Sequence, residues 1–267
     1  MRLNFHQVGL AFLALMLSAR GESISLDESG KVDEVLQGYI DSQGGRERLS
    51  TITSLEVEGT MLLASQGMEI QMSQKLQAPD KAYVQQFFPA LGQIENYFDG
   101  IRGWEFHPIA GERPLDYTEV EELLDDANLQ RDLNLRDEFE SIRLGPDEVI
   151  EDIMTTHLIL TDDKGKVEHW YFKPNGDLFQ KIHRVSAGPE SEFETTERYY
   201  DLKMEDGFRF PRKIRYINPA YVAELTITEL VINREIDPSF FKVPDYAEEM
   251  ARLVKSDSQE RSSTTVD

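Results

Sequence analysis

Chemistry in a protein chain needs suitable side chains at spacings that bring them together. The candidates here are four histidines, His107, His157, His169 and His183, and a stock of 50 aspartates and glutamates. No two of these histidines stand four residues apart, the spacing that sets two imidazoles on one helix face for a hydrolytic zinc site. His169 and His183 fall where a hairpin would place them on a common face, more the position of solvated side chains than of ligands. Among so many carboxylates no pair stands out as the acid and base of a glycosidase, and there is no G-x-S-x-G elbow for a serine nucleophile. The chain has no cysteine. The residues therefore read as those of a protein that is not an enzyme and uses no cofactor or metal. A hydrolase built on a carboxylate pair is the remote alternative.

The sequence does concentrate rings on candidate strands. Val32, Val35, Leu36, Tyr39 and Ile40 draw one apolar stripe on a helix that Gly44-Gly45 ends. From Ser54 the period becomes two: Leu55, Val57 and Gly59 alternate with Glu56 and Glu58, and Tyr83, Gln85 and Phe87 continue the pattern. Thr118-x-x-Glu121 has the spacing of a capping box, and Val120, Leu123, Leu124 and Ala127 follow at helical intervals. Beyond that helix, turn signals at Asp162–Gly165, Pro174-Asn175-Gly176, Ala187-Gly188-Pro189, Glu205-Asp206-Gly207 and Asn218-Pro219 describe a meander of hairpins. The class is mainly β with α (α+β), a curved antiparallel sheet with helices covering its concave face. Such a face is larger than two or three helices can fill, so it leaves an apolar cavity. Tyr83, Phe87, Trp104, Phe106, Leu124, Trp170, Phe172, Leu178 and Ile182 are expected to line it, with an ordinary core as the alternative for any one of them.

Two local readings are sharper. In "FDGIRGWEF", Asp99-Gly100 makes a turn and the chain re-enters the sheet at Gly103, so Trp104 and Phe106 share a face. In "HWYFKPNGDLFQKI", Pro174 and Asn175 suit a type I turn, with Gly176 at the left-handed bulge position. Lys173 should then pair with Asp177, Phe172 with Leu178 and Trp170 with Gln180. That register gathers Trp170, Phe172, Leu178 and Ile182 on one face, opposite His169, Tyr171, Lys181 and His183.

The ends and the charge bound the setting. An arginine, an apolar run from Val8 to Leu17 and the small-residue site Ala19-Arg20-Gly21 read as a signal peptide over residues 1–21. The run is too short to span a bilayer, so the mature chain is not an integral membrane protein; an uncleaved anchor is the alternative. Residues 22–250 read as a single domain and 251–267, which end in "SDSQERSSTTVD", as a disordered tail. The formal charge of -22 argues against nucleic acid and anionic lipid surfaces as partners.

The strings "YIDSQGGRERLSTITSLEVEGT", "APDK", "FDGIRGWEF", "YFKPNGDL" and "DGFRFPRKI", in this order, resemble bacterial exported proteins of the outer-membrane lipoprotein-sorting (Lol carrier-like) superfamily. The resemblance covers roughly residues 32–245. It implies an incomplete barrel around a helical plug, a periplasmic location, and a cavity that shelters a lipid or lipoprotein acyl chain as a carrier or chaperone does. An envelope protein-interaction or stress-sensing module of the same fold is the alternative. No motif fixes the carriers' ligand-contacting arginine, although Arg102 and Arg113 lie in that region.

Overall fold

The computed structural model describes residues 26–186 and 192–242. The expected signal peptide, the tail and the turn at Ala187-Gly188-Pro189 lie outside these residues. Helix α1 (Leu26–Gln43) and the single turn α2 (Arg46–Leu49) precede six strands: β1 (Ser54–Leu63), β2 (Met68–Gln77), β3 (Lys81–Phe88), β4 (Gly92–Phe98), β5 (Gly103–His107) and β6 (Gly111–Pro114). Helices α3 (Tyr117–Ala127) and α4 (Leu135–Glu138), separated by a 3-10 turn over Arg131–Asn134, lead to β7 (Ser141–Leu144), β8 (Glu148–Ile150), β9 (Ile153–Thr161) and β10 (Val167–Phe172). Then come β11 (Leu178–Ser186), β12 (Glu192–Glu205), β13 (Phe208–Ile217), β14 (Val222–Ile232) and a 3-10 turn over Pro238–Phe241. The strands join in the order β6-β5-β4-β3-β2-β1-β14-β13-β12-β11-β10-β9-β7, with β8 also on β9. The two end strands do not pair, so the sheet is open, as an incomplete barrel with few helices should be.

The described residues divide into two compact units: 26–51 with Thr60–Glu69, 130–186 and 192–228, and Ile52–Gly59 with Ile70–Leu129 and 229–242. In the first, the expected stripe on α1 is buried. Val32, Leu36 and Tyr39 pack on Leu135, Phe139, Ile142, Leu158, Leu160, Trp170 and Phe172. The Tyr39 ring stands edge-on to Trp170 at 6.2 Å and to Phe172 at 5.5 Å, geometry that aromatic quadrupoles favour. Glu28, near the start of the helix, accepts the Leu144 amide of β7 at 3.3 Å.

The β10–β11 turn forms as read. Lys173 N–H donates to the Asp177 carbonyl at 2.9 Å, Phe172 pairs with Leu178, and Gly176 takes φ +87°. The ladder then shifts by one, because Tyr171 pairs with Gln180 and Trp170 with Lys181. The expected Trp170–Gln180 pair is thus corrected, and the reason is a bulge that inserts Phe179. Directly paired residues share a face, so Lys181 and His183 lie with Trp170. Ile182 pairs with His169 and joins Ile150, Tyr171, Phe179 and Tyr200 on the opposite face.

In the second unit the cap of α3 is Asp116, two residues before the expected Thr118. Asp116 Oδ1 accepts the Glu119 amide at 3.0 Å, and the Glu119 carboxylate accepts the Asp116 amide at 2.9 Å. Aspartate caps as well as threonine, so the box is Asp-x-x-Glu. Leu123 and Ala127 cover Leu76, Ala82 and Phe98, with Leu124 at the margin. Asp99 Oδ1 holds the β4–β5 turn by accepting the amides of Ile101 and Arg102 at 2.9 and 2.8 Å. Gly103 is required by close approach: a Cβ there would lie 2.8 Å from Leu115 Cδ1 and 3.0 Å from Val120 Cγ2.

Gly176 meets two constraints at once, since a Cβ there would also stand 2.3 Å from the Gly38 carbonyl oxygen of α1. A Gly176→Ala variant should lose about 2–4 kcal/mol, from the positive φ and the displaced helix together. Urea unfolding measures it; a loss under about 0.5 kcal/mol would contradict this packing.

Candidate functional site

The residues expected to line one cavity are divided between faces. Trp170, 2% exposed, and Phe172, 1% exposed, lie under α1 with Leu178 beside them. Ile182 faces the other way. In the second unit Tyr97 pairs with both Tyr83 and Trp104, and Glu95 with Phe106. Tyr83, Phe87, Trp104 and Phe106 thus share the face opposite Gly103 and α3. There Ile236 and Phe241 pack on Tyr83 and Tyr97, while Phe87 stays 42% exposed. Leu124 belongs to the α3 cluster and does not join them. Arg113 is held between Glu105 at 3.0 Å and Glu119 at 2.6 Å, which ties β5 and β6 to the first turn of α3.

The α1 face of the first unit carries an ion-pair network that sequence reasoning missed. Glu168 and Trp170 are two residues apart on β10, and the indole N–H donates to Glu168 Oε2 at 2.8 Å. Lys181, across from Trp170, places Nζ 3.3 Å from Glu168 Oε2 and 5.3 Å from the Trp170 ring centre. Arg131 reaches the other oxygen of Glu168 at 3.4 Å. Lys181 pairs with Glu197 on β12. Glu197 in turn is 2.8 Å from His183 Nε2 and accepts the Tyr199 hydroxyl at 2.5 Å. Three i, i+2 pairs on successive strands, Glu168-x-Trp170, Lys181-x-His183 and Glu197-x-Tyr199, are the signal in the sequence. The bulge brings them into line.

Electrostatics keep both carboxylates ionised. Burial works to raise Glu168, but Lys181, Arg131 and the indole N–H outweigh it and hold the group at about 2. Burial opposes ionisation of Glu197 too, and is overcome by the hydrogen bond and charge of His183, then by Lys181 and Tyr199, again to about 2. Neither carboxylate holds the proton a general acid would have to deliver.

On the opposite face His157 Nε2 and His169 Nδ1 lie 2.9 Å apart, and the His157 ring stacks on Tyr171 at 4.3 Å. Burial and the neighbouring His169 lower the His157 pKa. The bulge separates His169 from His183, which were expected on one face. Among the described residues no three His, Cys, Asp or Glu side chains are grouped to hold a metal ion, and no helix is long and apolar enough to cross a membrane.

The sequence matches no family model and no curated protein. Solved structures do match. A LolA superfamily protein from Nitrosomonas europaea is similar at 15% identity and a TM-score of 0.52, over 80% of this chain and 98% of that one. An outer membrane lipoprotein-sorting protein domain from Vibrio parahaemolyticus is similar at 12% identity and a TM-score of 0.53, over 80% and 97%. The chain has the lipoprotein-sorting (Lol carrier-like) fold. A DUF1329 family protein from Desulfovibrio piger is similar too, at 12% identity and a TM-score of 0.52 over 79% and 97%. At such identities the likeness is one of fold, and the side chains that the lipoprotein-sorting fold presents here are this chain's own.

The network has a pH signature. Both glutamates are depressed from 4.5 to about 2 on folding, so the stability they contribute is complete above about pH 4.5 and is lost as pH falls towards 2. Glu168→Gln should cost about 3 kcal/mol at pH 7 by leaving Lys181 and Arg131 without their carboxylate, and should flatten the acid limb of the stability curve. Chemical denaturation at a series of pH values tests both; an unchanged acid limb would show that the pairing does not operate in solution.

Proposed function

We propose that the protein is a non-catalytic periplasmic carrier or chaperone that shelters a lipid or lipoprotein acyl chain. The observation that carries this reading is a half-buried part of the α1 face beside the closed cluster. The cluster beneath the helix draws on β7, β9, β10 and the start of β11. On the adjoining strands of the same face, Tyr199, Ile214 and Tyr216 remain half-buried. Apolar groups left partly in water beside a closed core form a surface on which an acyl chain gains by burial, about 0.8 kcal/mol per methylene. Trp170, Phe172 and Leu178 would border that surface rather than form it. The likeness to lipoprotein-sorting structures supports the same reading, and the ionised state of Glu168 and Glu197 favours binding over acid catalysis.

A protein-interaction module of the same fold is the second reading. Val149 and Met154, paired across β8 and β9 and 62% and 56% exposed, favour it as a small apolar contact patch. Mass spectrometry of solvent extracts from natively purified protein separates the two. A carrier should yield about one acyl lipid per chain, and should regain it when stripped protein is mixed with vesicles. Lipid-free protein that takes up none would favour the interaction module.

A further inference from the structure

We infer that His157 and His169 form an acid-sensitive latch, which keeps the β8–β9 hairpin folded onto the face opposite α1 while one ring is neutral and loosens it when both carry a proton. The latch does not depend on what the protein carries. His157 Nε2 and His169 Nδ1 lie 2.9 Å apart, so one nitrogen donates a hydrogen bond and the other accepts it. That contact survives with no proton added or with one. With two, both nitrogens are donors and the rings repel.

His157 is wedged, 4% exposed, among the groups that place the hairpin. Its ring lies on that of Tyr171 at 4.3 Å, and a Cβ on Gly145 would collide with its Nδ1. Gly145 opens the link from β7 to β8 and gives its amide to the His157 carbonyl at 2.8 Å. Tyr171 donates its hydroxyl to Glu148 Oε1 of β8 at 3.3 Å, and Thr155 donates to the Glu148 carbonyl at 2.8 Å. At the hairpin tip Glu151 Oε1 accepts from Arg198 and Tyr200 of β12 at 2.8 and 2.9 Å. Ile150 and Ile153 are thereby held against Tyr171, Phe179, Ile182 and Tyr200. Turning His157 away from a charged His169 pushes on Tyr171 or on Gly145. Both lead to β8.

The groups facing the pair do not cancel a second charge. Burial first, and then His169, lower the His157 pKa from 6.5; Glu148 and the Pro146 backbone work the other way, and Arg143 adds to the lowering. Arg143 of β7 is paired with Ile159, next to the rings, while Ile182 of β11 faces His169, with Arg184 and its cross-strand partner Glu194 of β12 two residues on. Arg143, Arg184 and Glu194 are exposed, so water screens them. Because the folded chain resists the proton that an unfolded His157 would accept, the contact is complete above about pH 6.5 and weakens as pH falls below it.

Hydrogen–deuterium exchange of the full chain, read on peptides that cover residues 146–154, tests the latch against a His169→Gln variant. Glutamine keeps a donor and an acceptor but takes up no proton, and comparing the two chains at one pH cancels the intrinsic pH dependence of exchange. The ratio of wild-type to variant rates should rise about tenfold between about pH 7.5 and about pH 5. An unchanged ratio would overturn the latch, whether the hairpin stays shut in both chains or opens in both through protonation of Glu148 and Glu151. Titration of the wild-type imidazoles by nuclear magnetic resonance needs no variant. Two separated steps that belong to the pair are expected, and two independent rings, each titrating near about 6.5, would overturn the latch as well.

Discussion

Between Tyr171 and Phe172 the β10–β11 ladder accommodates one extra residue on β11, and the character of the α1 face depends on that insertion. Without it, Gln180 would stand across from Trp170 and Ile182 across from Glu168, and this stretch of the face would carry neither the ammonium nor the imidazole. With it, Phe179 and Gln180 both turn to the far side, where Phe179 meets Tyr171 and Gln180 accepts Arg198 Nε at 2.7 Å. Lys181 and His183 turn inward. A bulge is an inexpensive way to re-aim several side chains at once. Here it exchanges an amide and a hydrocarbon side chain, Gln180 and Ile182, for an ammonium and an imidazole set against two carboxylates.

The network beside Trp170 also differs from the rest of the molecule in its charge balance. Acids outnumber bases 50 to 28 along the chain, yet Glu168 and Glu197 are answered locally by Lys181 and Arg131. The remaining excess acid therefore stands elsewhere, where water and salt screen it. Close pairing of its carboxylates makes the network less sensitive to ionic strength than exposed charges are. It also keeps the aromatic cluster beside it from sitting next to an unpaired charge.

Much of the architecture could be read from residue types. The α1 stripe was visible because Val32, Leu36 and Tyr39 recur at helical intervals, and the turns at Gly100, Gly165, Gly176 and Gly207 because each carries a glycine that takes positive φ. The face of Trp104 followed from alternation after Gly103, although its being the side away from α3 did not, since periodicity places residues on a common face without saying which partner covers it. Leu124 was grouped with Trp104 for that reason. Ile182 was misplaced by the bulge, which depends on how Phe179 packs against Tyr200 some twenty residues away and leaves no local mark. The α3 cap was read two residues late because both Asp116 and Thr118 have an acid three residues on, and only the approach of the chain from Pro114 and Leu115 decides between them. The candidate site was present as three polar–aromatic pairs, but it became a site only after three strands had been brought into register.

The contact between Gly176 and the Gly38 carbonyl constrains how α1 can move. Two backbones in van der Waals contact have no rotamer through which to yield, and directly after the helix Gly44 is as close to the Gly207 carbonyl. Sliding the helix about 1.5 Å along its axis, the rise of one residue, would move the Gly38 carbonyl off the place where the turn leaves room for it. A sliding motion of α1 would therefore have to displace the turn as well. The far end of α1 is held to β7 by the Glu28 carboxylate on the Leu144 amide at 3.3 Å, so a tilt about Gly38 would break that hydrogen bond first and open space beneath the helix as an angle rather than as a stroke.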